Sequence, residues 1–221
     1  VLGEALLGEN LDKSITFEVV VHFGTLCSIV IYYRKKLADM LTSLWQLVKS
    51  PSQAKERYAN DDNVKLSAFI LLSMIPAVIV SLTLKEQIEN IFLNPVMVSF
   101  MLLVTGTILY VTRFRYDFPN RVGPWNAFGI GLAQAFAILP GISRSGSTIS
   151  LGLYLGIKRD EVANFSFLMV IPVIAGAMLF EVKEMLELGI PMDNAIGLFV
   201  GFLAAFISGY FALKYLIIML Q

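Results

Sequence analysis

The sequence predicts an all-α integral membrane protein: a polytopic helical bundle with one re-entrant helical hairpin and an inverted-topology repeat. Three observations lead there. Hydrophobic residues make up 57% of the 221 and charged residues only 15%, whereas soluble domains carry roughly a quarter charged. The apolar residues gather in windows close to the roughly 20 residues that cross a bilayer. Finally, the nonapeptide Pro140-Gly141-Ile142-Ser143-Arg144-Ser145-Gly146-Ser147-Thr148 sets an arginine, four hydroxyls and two glycines inside a strongly apolar stretch. Polar groups of that kind at membrane depth mark a pathway or a site.

A single transmembrane domain over residues 1–221 accounts for the pattern. Residues 1–14 are mixed and polar, and a first span at about 15–33 is interrupted only by Glu18 and His22. Residues 37–63 begin as an amphipathic helix, with Leu37, Met40, Leu41, Leu44, Leu47 and Val48 apolar, and end in a charged linker. That helix is expected on the inner membrane surface. Further spans follow at about 66–84 and 96–112. Two apolar pieces, 126–139 and 146–157, are hinged at the Pro-Gly loop and are too short to cross. They predict a re-entrant hairpin over about 126–157, since irregular backbone at this depth must be shielded by protein or line a wet cavity. A span at 164–182, broken by Pro172 and Gly176, and a last at about 195–213 complete the set.

Lysine and arginine orient the chain. Seven of the 17 lie between Arg34 and Lys65, three at 113–121, two at 158–159, and one is Lys214, while Lys13, Lys85 and Lys183 fall in the alternate loops. The tally puts 34–65, 113–125, 158–163 and the C-terminus inside, provided that 126–157 enters and leaves on one side. The formal charge of zero gives no reason to expect a nucleic acid. Cys27 is the only cysteine, so no intrachain disulfide forms. No basic stretch and cleavage site mark a signal peptide, and the start at Val1 reads as a truncated or processed end.

A repeat is also visible. Leu7-Gly8 and Phe17 are matched by Leu155-Gly156 and Phe165, each with eight residues between glycine and phenylalanine and an apolar span after it. The charge tally gives the two copies opposite orientations, as in an inverted-topology repeat. The partner of the 140–148 loop would then precede residue 1.

The loop has the chemistry of an anion site. Arg144 offers a planar fork for two phosphate oxygens, and Ser143, Ser145 and Thr148 offer hydroxyls. Gly141 and Gly146 allow a tight turn and close approach. A helix over 146–157 would turn the free amides and positive dipole end of its N-terminus, near Gly146 and Thr148, toward the anion. Ser143 is a candidate nucleophile if a base lies beside it, or water attacks and the serine only binds. Gln134 and His22 are candidate binding residues, and Glu18, one turn before His22, is a natural partner for it. Plainer readings compete. Serines such as Ser147 and Ser150 pack membrane helices, an arginine can cap helix carbonyls, His22 can be a satisfied interior group, and Arg34-Lys35-Lys36 anchors topology.

The nonapeptide, with Gln134 before it and Phe165-Ser166-Phe167-Leu168 and Pro172 after it, resembles the second signature of the undecaprenyl-diphosphate phosphatase (bacitracin-resistance) family. Phe17 to Leu26 and Met74-Ile75-Pro76-Ala77 resemble two further stretches of that family. The family's first signature, with paired glutamates and a Ser-Ser-Thr-Gly-His run, has no match in residues 1–14, where Glu4 and Glu9 are wrongly spaced, and a C-terminal helix also looks absent. The resemblance implies a multi-pass enzyme of the bacterial cytoplasmic membrane that hydrolyses a C55 polyprenyl diphosphate and so recycles the cell-wall lipid carrier. It implies catalytic Ser143, Arg144 and Thr148, binding by Gly141, Ser145, Gly146, Gln134 and His22, and a divalent cation, Mg2+ or Ca2+, whose ligands the sequence does not identify. The expected partners are the polyprenyl diphosphate and the bilayer, with a homodimer as an open alternative. A transporter or flippase of a phosphorylated polyprenyl lipid is the rival reading, because broken helices in inverted repeats are common there. Release of inorganic phosphate separates the two.

Overall fold

A computed structural model of the protein describes residues 15–84, 87, 88, 91, 94–114, 120–188 and 195–220. Among the described residues all regular structure is helical, apart from one isolated bridge between Asn120 and Ile157. The helices are α1 (Ile15–Tyr32), α2 (Arg34–Lys49), α3 (Ala54–Asn60), α4 (Asp62–Thr83), α5 (Pro95–Val111), α6 (Pro124–Phe136), α7 (Arg144–Tyr154), α8 (Arg159–Leu188) and α9 (Ala195–Leu220). Among the described residues four segments are long and apolar enough to cross a membrane: Asp62–Thr83, Pro95–Phe114, Arg159–Leu179 and Ile196–Met219. The first copy of the sequence repeat, at Leu7-Gly8, lies outside the described residues.

Boundaries follow local chemistry. Asn94 caps α5, its side chain accepting from the amides of Val96 and Met97, and Pro95 occupies the first turn where no donor is needed. Pro124 starts α6 in the same way. The charged linker after α2 contains the short helix α3. α8 runs unbroken through Pro172 and Gly176. A proline in a long apolar helix removes one hydrogen bond and leaves the rest of the ladder, so it bends rather than ends the element.

Contacts divide the described chain into two compact units, residues 65–169 and residues 15–64 with 170–220. In the second unit α1 packs along α9, joined by ring contacts between Phe23 and Phe202 (5.8 Å) and between Tyr32 and Tyr210 (6.2 Å). Phe199, Val200, Ile207, Phe211 and Tyr215 of α9 remain exposed. Such a run would be a liability in water and is ordinary against lipid.

In the first unit α6 and α7 pack together as a hairpin, with α5 beside α7. α6 also approaches α4 so closely that a Cβ on Gly131 would strike the backbone of Ser73. The helices have 13 and 11 residues, or about 20 and 16 Å at 1.5 Å per residue, against a hydrocarbon core of about 30 Å. The ends of the hairpin meet. The Asn120 amide donates to Gly156 O (3.0 Å), its side-chain amide to Leu155 O (3.1 Å), and the Val122 amide to Glu161 Oε1 (3.0 Å).

Candidate functional site

The loop at the hairpin's closed end is built on three devices. Gly141 adopts φ +88°, a conformation costly for any residue with a side chain, and a Cβ there would collide with Val98 O of α5. Thr105, also on α5, binds the loop twice. Its hydroxyl donates to Gly141 O at 2.9 Å and accepts from the Ser143 amide at 3.0 Å. Ser143 then caps α7, its Oγ accepting from the Gly146 amide at 3.1 Å, while the Ser147 amide donates to Ser143 O at 2.8 Å.

With Ser143 as cap, α7 begins at Arg144, two residues earlier than the apolar pattern predicts. A cap of this kind fixes the first turn on polar residues that periodicity ignores. Arg144 and Ser145 become the first two helical residues. Their amides have no partner among the described residues, as expected at a helix start. The positive dipole end and two free N–H groups therefore sit where the sequence puts its arginine.

Arg144 itself is half-buried, and its Nη1 is buried with no hydrogen-bond partner. Gln134, on the last turn of α6, is 2% exposed, and neither its Oε1 nor its Nε2 is paired. Ser147 Oγ is buried and unpaired as well. Thr148 differs. It is 1% exposed and lies a turn inside α7, where its hydroxyl bonds to Arg144 O (2.9 Å) and meets Ser166 Oγ of α8 at 2.6 Å. That hydroxyl is spent on holding α7 against α8. Ser145 and Gly146 are half-buried at the helix start.

Over residues 1–221 the sequence matches the family described as Bacitracin resistance protein BacA. The chain belongs to that family. Among relatives named undecaprenyl-diphosphatase, one from Desulfosudis oleivorans is 40% identical over 226 residues, covering 100% of this chain and 81% of that protein. One from Salinibacter ruber is 38% identical over 212 residues, 95% of this chain and 77% of the relative. One from Methanobrevibacter smithii is 35% identical over 222 residues, 96% and 78% respectively.

The residues singled out from the sequence fall in both units. Gly141, Ser143, Arg144, Ser145 and Gly146 form one continuous loop and helix start, with Thr148 behind it and Gln134 on the preceding helix. His22 belongs to α1 in the other unit, where its side chain is exposed. Thr105, which no sequence motif marks, and Ser166, present only as a letter of the family-like stretch, hold the loop and its helix in place. As to the expected cation, no three His, Cys, Asp or Glu side chains gather among the described residues.

Proposed function

We infer that the chain is a multi-pass membrane phosphatase that hydrolyses undecaprenyl diphosphate to the monophosphate and inorganic phosphate. One observation carries the assignment of the site: Arg144, the first residue of α7, has a buried and unpartnered Nη1, and the amides of Arg144 and Ser145 open the same helix without partners. A buried donor atom left unpaired costs about 1–3 kcal/mol, and an anion bound at this helix start offsets that cost. The relatives named undecaprenyl-diphosphatase support a diphosphate as the anion.

The chemistry of the loop's own groups follows. Arg144 and the two amides neutralise oxygens of the transferring phosphoryl group, and they act most strongly where negative charge gathers on the leaving bridge oxygen and the transferred oxygens. Ser143 Oγ uses a lone pair to cap the helix and keeps its proton free to give away. Ser143 can therefore attack phosphorus once a base takes that proton, or bind while water attacks. Mg2+ or Ca2+ remains part of the reading as an expectation from the family.

The hairpin α6–α7 fits a re-entrant role. Its paired ends at Asn120 and Gly156 support entry and exit on one side, and its short helices support a loop held partway through the bilayer. The basic-residue tally favours the cytoplasm for that side, and a single transmembrane domain in a cytoplasmic membrane is the arrangement consistent with it. The offset between Phe17 and Phe165 supports an inverted repeat.

The test is phosphate release from a polyprenyl diphosphate by the purified full-length protein. Removing a preorganised donor to developing charge costs about 10²–10³ in rate, so Arg144→Ala should lose at least that much, and Arg144→Lys should recover little because an ammonium lacks the fork. Rates within threefold of the unmodified protein would remove the loop from the reaction.

A further inference from the structure

Helix α2 carries two apolar faces. One is turned inward: Met40 is buried, and Leu37, Leu44 and Leu47 are half-buried. The other is open. Leu41, Trp45 and Val48 are 67%, 61% and 70% exposed, and at about 100° per residue they share a sector about 60° wide. Arg34 falls within the same sector at one end of the helix and Lys49 beside it at the other. The Lys49 ammonium lies 5.2 Å from the Trp45 ring centroid. Asp39, the one acidic residue of α2, is on the far side.

This face is held rigidly. Arg57 Nη1 donates to Gln46 Oε1 at 2.8 Å and Lys36 Nζ to Asn63 Oδ1 at 2.8 Å, tying α2 to the segment that follows it. Four basic side chains against one acidic in 16 residues exclude a seat in hydrocarbon. Three large apolar side chains fully open on one face are equally out of place in water. An amphipathic indole and long basic side chains suit the boundary between acyl chains and headgroups. The excess positive charge selects the headgroup, with Arg34 within the face, Lys49 beside it, and Lys35 and Lys55 exposed elsewhere in the same segment.

We propose that the Leu41–Trp45–Val48 face of α2 is a docking surface for anionic phospholipid headgroups, with Trp45 seated at the acyl boundary and Lys35, Lys49 and Lys55 drawing acidic phosphates to it. The proposal stands apart from the phosphatase reading and requires only that the chain lie in a bilayer.

The test uses the full chain carrying Trp125→Phe, which leaves Trp45 as the one tryptophan of this sequence. The protein is reconstituted in phosphatidylcholine vesicles with equal amounts of brominated phosphatidylglycerol or brominated phosphatidylcholine. Trp45 emission should be quenched by both and more by the brominated phosphatidylglycerol, since each basic side chain near the surface shifts the local partition roughly fivefold. Raised salt should erode the difference, and Lys35→Gln, Lys49→Gln and Lys55→Gln together should abolish it. Absence of quenching by either lipid would overturn the proposal and show that the face meets water or a protein partner. Equal quenching in the unsubstituted lysine background would overturn the headgroup recognition.

Discussion

Replacing Thr105 with valine deletes one hydroxyl at almost constant volume, and the loop's geometry makes the consequence calculable. That hydroxyl donates to Gly141 O and accepts from the Ser143 amide, at 2.9 and 3.0 Å, and the side chain is 8% exposed. The substitution leaves a part-buried carbonyl and a part-buried amide without partners, each costing up to about 1–3 kcal/mol. The loop can escape part of that cost by shifting toward another donor or acceptor. A shift of about 1 Å in a reacting geometry is itself worth about 10² in rate. Thr105→Val should therefore lower kcat for phosphate release by roughly 10–10³ at a temperature well below its melting point. Thr105→Ser, which keeps the hydroxyl, should restore most of the rate. Thr107→Val on the same helix is the control, because the exposed Thr107 hydroxyl donates only to Leu103 O of its own helix. If Thr105→Val works within twofold of the unmodified protein and melts at the same temperature, α5 does not position the loop and the reasoning fails.

Two further outcomes are expected. Ser143→Ala removes a helix cap worth about 1 kcal/mol of stability, so a purely structural Ser143 predicts a lower melting temperature with little loss of phosphate release, whereas a nucleophilic Ser143 predicts loss beyond about a thousandfold and of any acid-stable phosphoprotein trapped during turnover. At Asp61, a hydrogen bond from the Ser43 hydroxyl, helped by the amides of Asn63 and Val64 and the nearby Arg57, holds the carboxyl below its ordinary range against the opposing effect of burial. A depressed carboxyl stabilises the fold above its unfolded pKa of about 3.9 and loses that contribution as pH falls through the lower folded value. The melting-temperature gap between the unmodified protein and Asp61→Asn in detergent should therefore shrink as pH drops below about 4. A gap that is constant through the acid range would refute the assignment.

The polar loop is legible in the sequence because packing gives no account of Arg144 among apolar residues. Its supports are not. Thr105 reads like Thr107 two residues later, and in an apolar helix a threonine hydroxyl ordinarily bonds its own backbone, as Thr107 does. Only the fold reveals that the Thr105 hydroxyl instead reaches across to Gly141 and Ser143. Ser166 is silent for the same reason until α8 brings it within 2.6 Å of Thr148. Thr148 illustrates the reverse: its place in the nonapeptide suggests a ligand-facing hydroxyl, and the helix turn carries it to the packed side. The start of α7 is misread by two residues because hydrophobic periodicity does not register an N-cap, although a serine followed by helix-compatible residues carries that signal. On α2, the sequence shows an amphipathic helix but does not separate its apolar residues into the inward Met40 and the outward Leu41, Trp45 and Val48. Only burial does.

The distribution of unsatisfied groups argues further than any single contact. Among the described residues, the buried side-chain atoms without hydrogen-bond partners are Arg57 Nε, both polar atoms of Gln134, Arg144 Nη1 and Ser147 Oγ. All but the first lie between residues 134 and 147, on the two helices of one hairpin. Buried polar atoms are paired almost everywhere in proteins, and each lapse costs about 1–3 kcal/mol. Scattered lapses would suggest poor packing, but the neighbouring groups here are paired closely: Thr105 with the loop, Ser143 with α7, and Thr148 with Ser166. This stretch pairs its loop carbonyl and capping groups closely while leaving two amides at the start of α7, a guanidinium nitrogen, a carboxamide and a hydroxyl open. Local rules fail in this way where a fold gives up stability for function. The three open groups can donate at least one hydrogen bond each, and one is cationic, which suits a ligand rich in acceptors and negative charge. A diphosphate has both properties, whereas a neutral ligand lacks the charge and a cationic one is repelled.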